Sequence, residues 1–202
     1  MALFLTPVLS PDSIGRGVVS VLLSFVLLAS LNVVAERKGH FRIGLVLFLA
    51  SVAAMWAGIL LGVPPLLGAG RILSILFLAV TVAAILPPLL RAKRVTAEVL
   101  WGALSVYLLL GVTGAFAFAA ITAWQPEALV GVSLSTETAL SGDLVYFSFV
   151  TQTTLGYGDI RPVTPLARSV AMFLAVSGVL YLAVLVASFV GIYVSQTRRP
   201  EA

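Results

Sequence analysis

Cysteine is absent from the 202-residue sequence, which rules out disulfides, thiolate chemistry and cysteine metal sites. Charge is scarce too: Asp, Glu, Lys and Arg together make up 10% of the chain. Histidine occurs once, at position 40, in a short basic loop where a solvated or headgroup-facing residue is the ordinary reading. No histidine–carboxylate cluster for a metal, no nucleophile with a base and no phosphate loop can be assembled from what remains. Enzymatic chemistry and a resident cofactor are therefore not expected. The net charge of +4 is no argument for nucleic acid, because the basic residues are few and stand at the ends of apolar runs.

What is abundant is hydrocarbon. Hydrophobic residues make up 60% of the chain, and the mean hydropathy of +1.13 belongs to a protein whose solvent is lipid. Charge-free runs cover 17–35, 43–70, 72–90, 99–126 and 169–197. A membrane-spanning helix takes about 20 apolar residues, so the expected fold is an all-α integral membrane protein with five spans. The expected bounds are about 17–35, 43–62, 72–90, 97–124 and 166–196. The second should end near Gly62, where Pro64-Pro65 and "LLGAG" suggest a turn, and Pro87-Pro88 should kink or end the third near its last turn. The first run is not a signal peptide by pattern, since its basic flank, Arg37-Lys38, follows the apolar stretch. Residues 1–94 are expected to form an N-terminal three-helix region and 95–202 a second unit. The given sequence stops shortly after the fifth run, so an attached nucleotide- or calcium-sensing domain is not expected.

Orientation follows from lysine and arginine. Eight of the twelve fall after spans one, three and five: Arg37, Lys38 and Arg42; Arg91, Lys93 and Arg94; Arg198 and Arg199. That side is expected to be cytoplasmic, with the N-terminus outside and the C-terminus inside. The loop between spans four and five then faces outward.

That loop holds the chemistry. A polar, turn-rich segment at 125–142 is followed by "LVYFSFVTQTT", apolar and aromatic but too short to span. At 10 to 14 residues such a segment reads as re-entrant or buried, and a short helix is expected over 143–153, capped by Ser141 or Asp143. The chain then turns at Gly156 and Gly158. A lone Gly-Tyr-Gly is ordinary turn chemistry; this one follows an apolar re-entrant segment and stands between two spans. Irregular backbone at membrane depth survives only where it is buried in protein or lines a wet cavity. Glycines at alternate positions allow successive carbonyls to face one side, and rings of such oxygens can replace the water shell of a monovalent cation. One chain supplies one column, so a ring requires several chains around an axis.

The stretch "TTLGYGD" resembles the selectivity-filter signature of potassium channels, and "VYFSFVTQTTLGYGDI" looks like their pore helix and filter. The resemblance covers roughly 97–196, about half of the chain. It implies a homotetramer in a lipid bilayer, with an outer helix at 97–124, a turret at 125–142, a pore helix at 143–153 and an inner helix at 166–196. It implies a filter of Thr154, Leu155, Gly156, Tyr157 and Gly158, with potassium, the permeant ion, held at the first four. Thr153, Asp159, Tyr146, Phe147 and Val150 become filter supports. Gly178 becomes a hinge, although close helix packing explains a mid-span glycine equally well. Three spans ahead of one pore unit also resemble small bacterial proteins of the ion-channel family, which implies a bacterial inner membrane. Without an arginine-bearing sensor span, steep voltage gating is not expected.

This chain departs from the pattern at several positions. Leu155 replaces the commoner valine. Tyr146 and Phe147 stand where many relatives have two tryptophans, leaving the Tyr146 hydroxyl as a substitute donor to brace Tyr157. Val150 stands where some relatives have a carboxyl paired with Asp159. Alternatives to a potassium channel are a weakly selective cation pore, or a non-conducting or regulatory subunit with a channel-like fold. Related transporters carry four such repeats in one chain, usually degenerate, whereas this chain has one intact copy.

Overall fold

A computed structural model of the protein describes residues 38–92, 94–132 and 140–197; the expected first span, 17–35, lies outside them. Five α-helices follow in order: α1 (Lys38–Leu61), α2 (Pro64–Leu90), α3 (Ala97–Trp124), α4 (Gly142–Gln152) and α5 (Pro165–Thr197). Four of them, all but α4, are long and apolar enough to cross a membrane.

The helix ends follow local chemistry. Gly62 takes a left-handed φ of +63° and closes α1, with Val63 N–H donating back to the Gly58 carbonyl at 3.1 Å, a glycine-terminated helix end. Val63 is extended, as a residue before proline should be, and Pro64 opens α2, where its missing N–H costs nothing. Pro87 and Pro88 lie inside the last turn of α2, which still runs on to Leu90. So near a terminus the prolines leave few internal bonds to break. Thr96 caps α3 by accepting from Val99 N–H at 3.4 Å. After α3 a 3₁₀ turn, Pro126–Ala128, leads into β1 (Leu129–Val130), which pairs antiparallel with β2 (Arg161–Pro162).

Small residues let the helices approach. On α1 and α2, a side chain at Gly58 would meet Leu67 and one at Gly70 would meet Met55. The buried hydroxyls of Ser74 and Thr81 donate to carbonyls one turn back, Gly70 at 2.8 Å and Phe77 at 2.9 Å, so no polar group there faces lipid unpaired. Helix α3 sits in the middle of the packing, with 56% of its most apolar stretch buried against 17% for α5. Its buried side chains include Val106, Val112, Phe116 and Phe118. Trp101 and Trp124, near its two ends, are exposed, which suits the two edges of a bilayer.

Candidate functional site

Helix α4 has 11 residues, about 16 Å of helix, roughly half a hydrocarbon core. Ser141, not Asp143, supplies its N-cap, accepting from Leu144 N–H at 3.4 Å. The helix lies in a notch cut by glycines of α3. A side chain at Gly111 would meet Phe149 and Gln152, and one at Gly114 would meet Ser148 and Leu174. Ser148 donates to the Gly111 carbonyl at 2.6 Å, and Gln152 Nε2 to the Tyr107 carbonyl at 2.9 Å. Phe147, expected as a filter support, is buried against Phe118 of α3, ring centroids 4.7 Å apart. This contact packs α4 against α3.

The loop after α4 begins as a helix end. Thr154 N–H donates to the Thr151 carbonyl at 3.0 Å, and Leu155 N–H to that of Val150 at 3.0 Å. Those two bonds define a Schellman end, whose left-handed residue is usually glycine. Here it is Thr154, φ +58°, the one non-glycine with positive φ among the described residues. A β-branched residue in that region costs of order 1–3 kcal/mol and persists only where its surroundings enforce it. Gly156 follows at +56° and Gly158 at +83°, while Leu155 and Tyr157 between them are not left-handed. Left-handed residues at every second position turn successive carbonyls to one side of a strand and N–H groups to the other. Val150 takes part through its backbone: its carbonyl also accepts from Gly156 N–H at 3.3 Å. Thr153 turns its hydroxyl back onto the Phe149 carbonyl at 2.7 Å. Residues 153–159 are exposed on the single chain.

At the outer end of the loop, Tyr146 Oη donates to Asp159 Oδ2 at 2.7 Å. The hydroxyl expected to brace Tyr157 is thus used on Asp159, the partner that Val150 cannot supply. Its donation to Asp159 pushes the Tyr146 hydroxyl up to about 12. The same bond holds the Asp159 carboxyl below its ordinary value. The depressed carboxyl adds stability above its ordinary pKa, lost as pH falls through the lowered one. The raised phenol adds stability below its ordinary pKa, lost as pH climbs toward 12. Between the two the contact persists, so the stability it contributes should be flat over roughly pH 5 to 9. Tyr146→Phe should let the Asp159 pKa rise toward the ordinary carboxylate range. The Asp159 carboxyl, followed by NMR, should then titrate at a higher pH than in the unaltered protein, and superimposable titration curves would show that the Tyr146 contact does not set its ionisation.

Gly178, expected as a hinge or a packing glycine, is buried against α4: a side chain there would meet the Gln152 carbonyl oxygen and, at 2.9 Å, Gln152 Cγ. Little in the sequence singles out Gln152. It is 1% exposed, binds α3 through Nε2, touches α5 at Gly178 and directly precedes Thr153-Thr154. Its one visible signal was an amide inside an apolar segment. Below the loop, a groove of about 780 Å³ is lined by Tyr107, Gln152, Thr153 and Thr154 at one end and by valines and alanines of α5 at the other. Among the described residues no three His, Cys, Asp or Glu side chains converge as metal ligands. The oxygen donors along the loop include its carbonyls and the Thr154 hydroxyl.

A family model described as an ion channel matches residues 94–195, from just before α3 to the last turns of α5, and so includes α4 and its loop. Comparison with curated proteins and with solved structures returned no match.

Proposed function

The chain belongs to the ion-channel family whose model it matches, and on that premise we propose that it conducts potassium passively through a central pore shared by four copies. The observation that carries this reading is the alternation of left-handed backbone at Thr154, Gly156 and Gly158. Four such strands around an axis offer stacked rings of carbonyl oxygens, with the Thr154 hydroxyls as the innermost ring. In this reading α4 is the re-entrant pore helix, α3 the outer helix and α5 the inner, pore-lining helix. Potassium sits at Thr154, Leu155, Gly156 and Tyr157. The exposure of Leu155 (55%) and Tyr157 (67%) on one chain supports partner chains at this surface, since closed cyclic assembly is the usual solution.

The basic residues favour an orientation with the C-terminus cytoplasmic and the loop outside, in a bacterial inner membrane. Gating of the charged-sensor kind is not favoured: in α1–α3 the described charges are Lys38 and Arg42 in the first turns of α1, Arg71 and Glu98, with no run of arginines at helical spacing through a span. A weakly selective cation pore is the second reading, favoured by the exposed Leu155 in place of a smaller side chain.

Reconstitution into liposomes decides between them. The protein in mild detergent should weigh as four chains. Under opposed potassium and sodium gradients the reversal potential should follow potassium, and conductance should vary shallowly with voltage. A reversal potential near zero would establish the weakly selective pore, and absence of any potassium flux would overturn both readings.

A further inference from the structure

The outer end of the loop is gripped from two directions, and only one of them is α4. The other is the segment leaving α3. Ala128 N–H closes the 3₁₀ turn on the Gln125 carbonyl at 2.8 Å, and Val163 N–H donates to the Ala128 carbonyl at 2.9 Å. Between these bonds Leu129 lies opposite Pro162 and Val130 opposite Arg161. The register brings the next residue, Gly131, against the end of the loop. Gly131 is left-handed, φ +88°, and a Cβ there would run into the Asp159 carbonyl oxygen, with the Asp159 carbonyl carbon at 3.1 Å and Ile160 Cα at 3.4 Å. All three obstructing atoms are backbone, so a side chain at 131 can be admitted only by moving the chain at 159–160. The Asp159 carboxylate is tied at the same time to Tyr146. A shift of the Asp159 backbone would therefore pull on the contact with α4 as well.

We propose that Gly131 is a positioning residue for ion selection: it lets the strand after α3 seat directly on the Asp159 backbone and so fixes where the carbonyl column at 154–158 ends. The inference rests on the reading of that column as the selectivity filter. It makes the turret a mechanical part of the filter, because the seven residues from Gln125 to Gly131 join the end of the outer helix to the filter exit.

Gly62 supplies a matched control. It is equally left-handed, φ +63°, but a Cβ there meets nothing within 4 Å. Alanine at 62 therefore carries the backbone cost without the collision. Full-length protein, Gly131→Ala and Gly62→Ala are reconstituted, and two quantities are read: the potassium-to-sodium permeability ratio, and the potassium concentration that half-protects the tetramer against heat dissociation. Gly131→Ala should lower the ratio and raise the protecting concentration, each by about tenfold or more. Gly62→Ala should keep both within about twofold of the unaltered protein. If the unaltered protein itself shows no preference for potassium, the functional reading fails and the inference with it. If it does, and Gly131→Ala matches it in both quantities, the inference alone is overturned. Mixed tetramers containing wild-type chains cover the case in which the fully altered tetramer fails to assemble. Their ratio should fall with each altered chain, and an unchanged ratio also overturns the inference.

Discussion

Replacing Gly156 with alanine should collapse the potassium-to-sodium permeability ratio toward one. The reason lies in the backbone rather than in space. Gly156 sits at φ +56°, and a Cβ built there meets nothing within 4 Å in its own chain. An L-residue in the left-handed region costs roughly 1–2 kcal/mol, and a tetramer incurs that cost four times around one axis. The cheapest escape is rotation of the 155–156 or 156–157 peptide, which turns a carbonyl out of the column. The helix end next to it gives little slack, because Gly156 N–H and Leu155 N–H already share the Val150 carbonyl. A ring with missing or misdirected oxygens cannot replace a hydration shell selectively. Gly191→Ala is the control: its Cβ also meets nothing within 4 Å, but inside α5 alanine is the better helix former. Reversal potentials under potassium and sodium gradients should follow potassium in the control and lie near zero in Gly156→Ala. An unchanged potential in Gly156→Ala would mean that these carbonyls do not select the ion.

How much of this was legible beforehand depends on range. Helix α3 could be bounded because its charge-free run, 99–126, is long enough to span and is flanked by charged residues, Glu98 and Glu127. The short helix before the loop was visible too, with Ser141 ahead of an apolar segment of about ten residues. The antiparallel ribbon was not, since two-residue strands are too short to carry a period. Nor was the use of Tyr146, whose partner lies 13 residues away across a turn whose path no local signal sets. The left-handed Thr154 runs against residue preference and appears only once the bonds to Val150 and Thr151 are known. Gln152 illustrates the largest gap: its role comes from two other helices, reached 45 residues back at Tyr107 and 26 residues ahead at Gly178. Pro87-Pro88 is a local signal that acts within a few residues, and α2 ends at Leu90, one turn from the prolines.

Gly178→Ala should weaken both selectivity and tetramer stability, which a pure hinge would not. A hinge glycine matters because it bends. Replacing it alters how often the pore opens and leaves the filter and the assembly intact. The surroundings of Gly178 argue otherwise. A methyl group there would be driven into the Gln152 carbonyl oxygen and would press on Gln152 Cγ. Gln152 has no easy retreat, because Nε2 is committed to the Tyr107 carbonyl and Oε1 is already buried without a protein partner. Moving it outward pulls on Thr153 and Thr154, the next residues in the chain, and so on the inner end of the carbonyl column. Moving α5 instead opens the packing at Leu174, which fills the notch at Gly114. Inserting one methyl into a packed site costs typically about 1–3 kcal/mol, here once per chain. Single-channel recordings should therefore show a reduced potassium preference along with any change in open probability, and the tetramer should dissociate at lower temperature than the unaltered protein. Gly191→Ala, in the same helix but in open space, should do neither. If Gly178→Ala changes open probability alone, with selectivity and thermal dissociation unmoved, the glycine bends the inner helix and its contact with Gln152 is incidental.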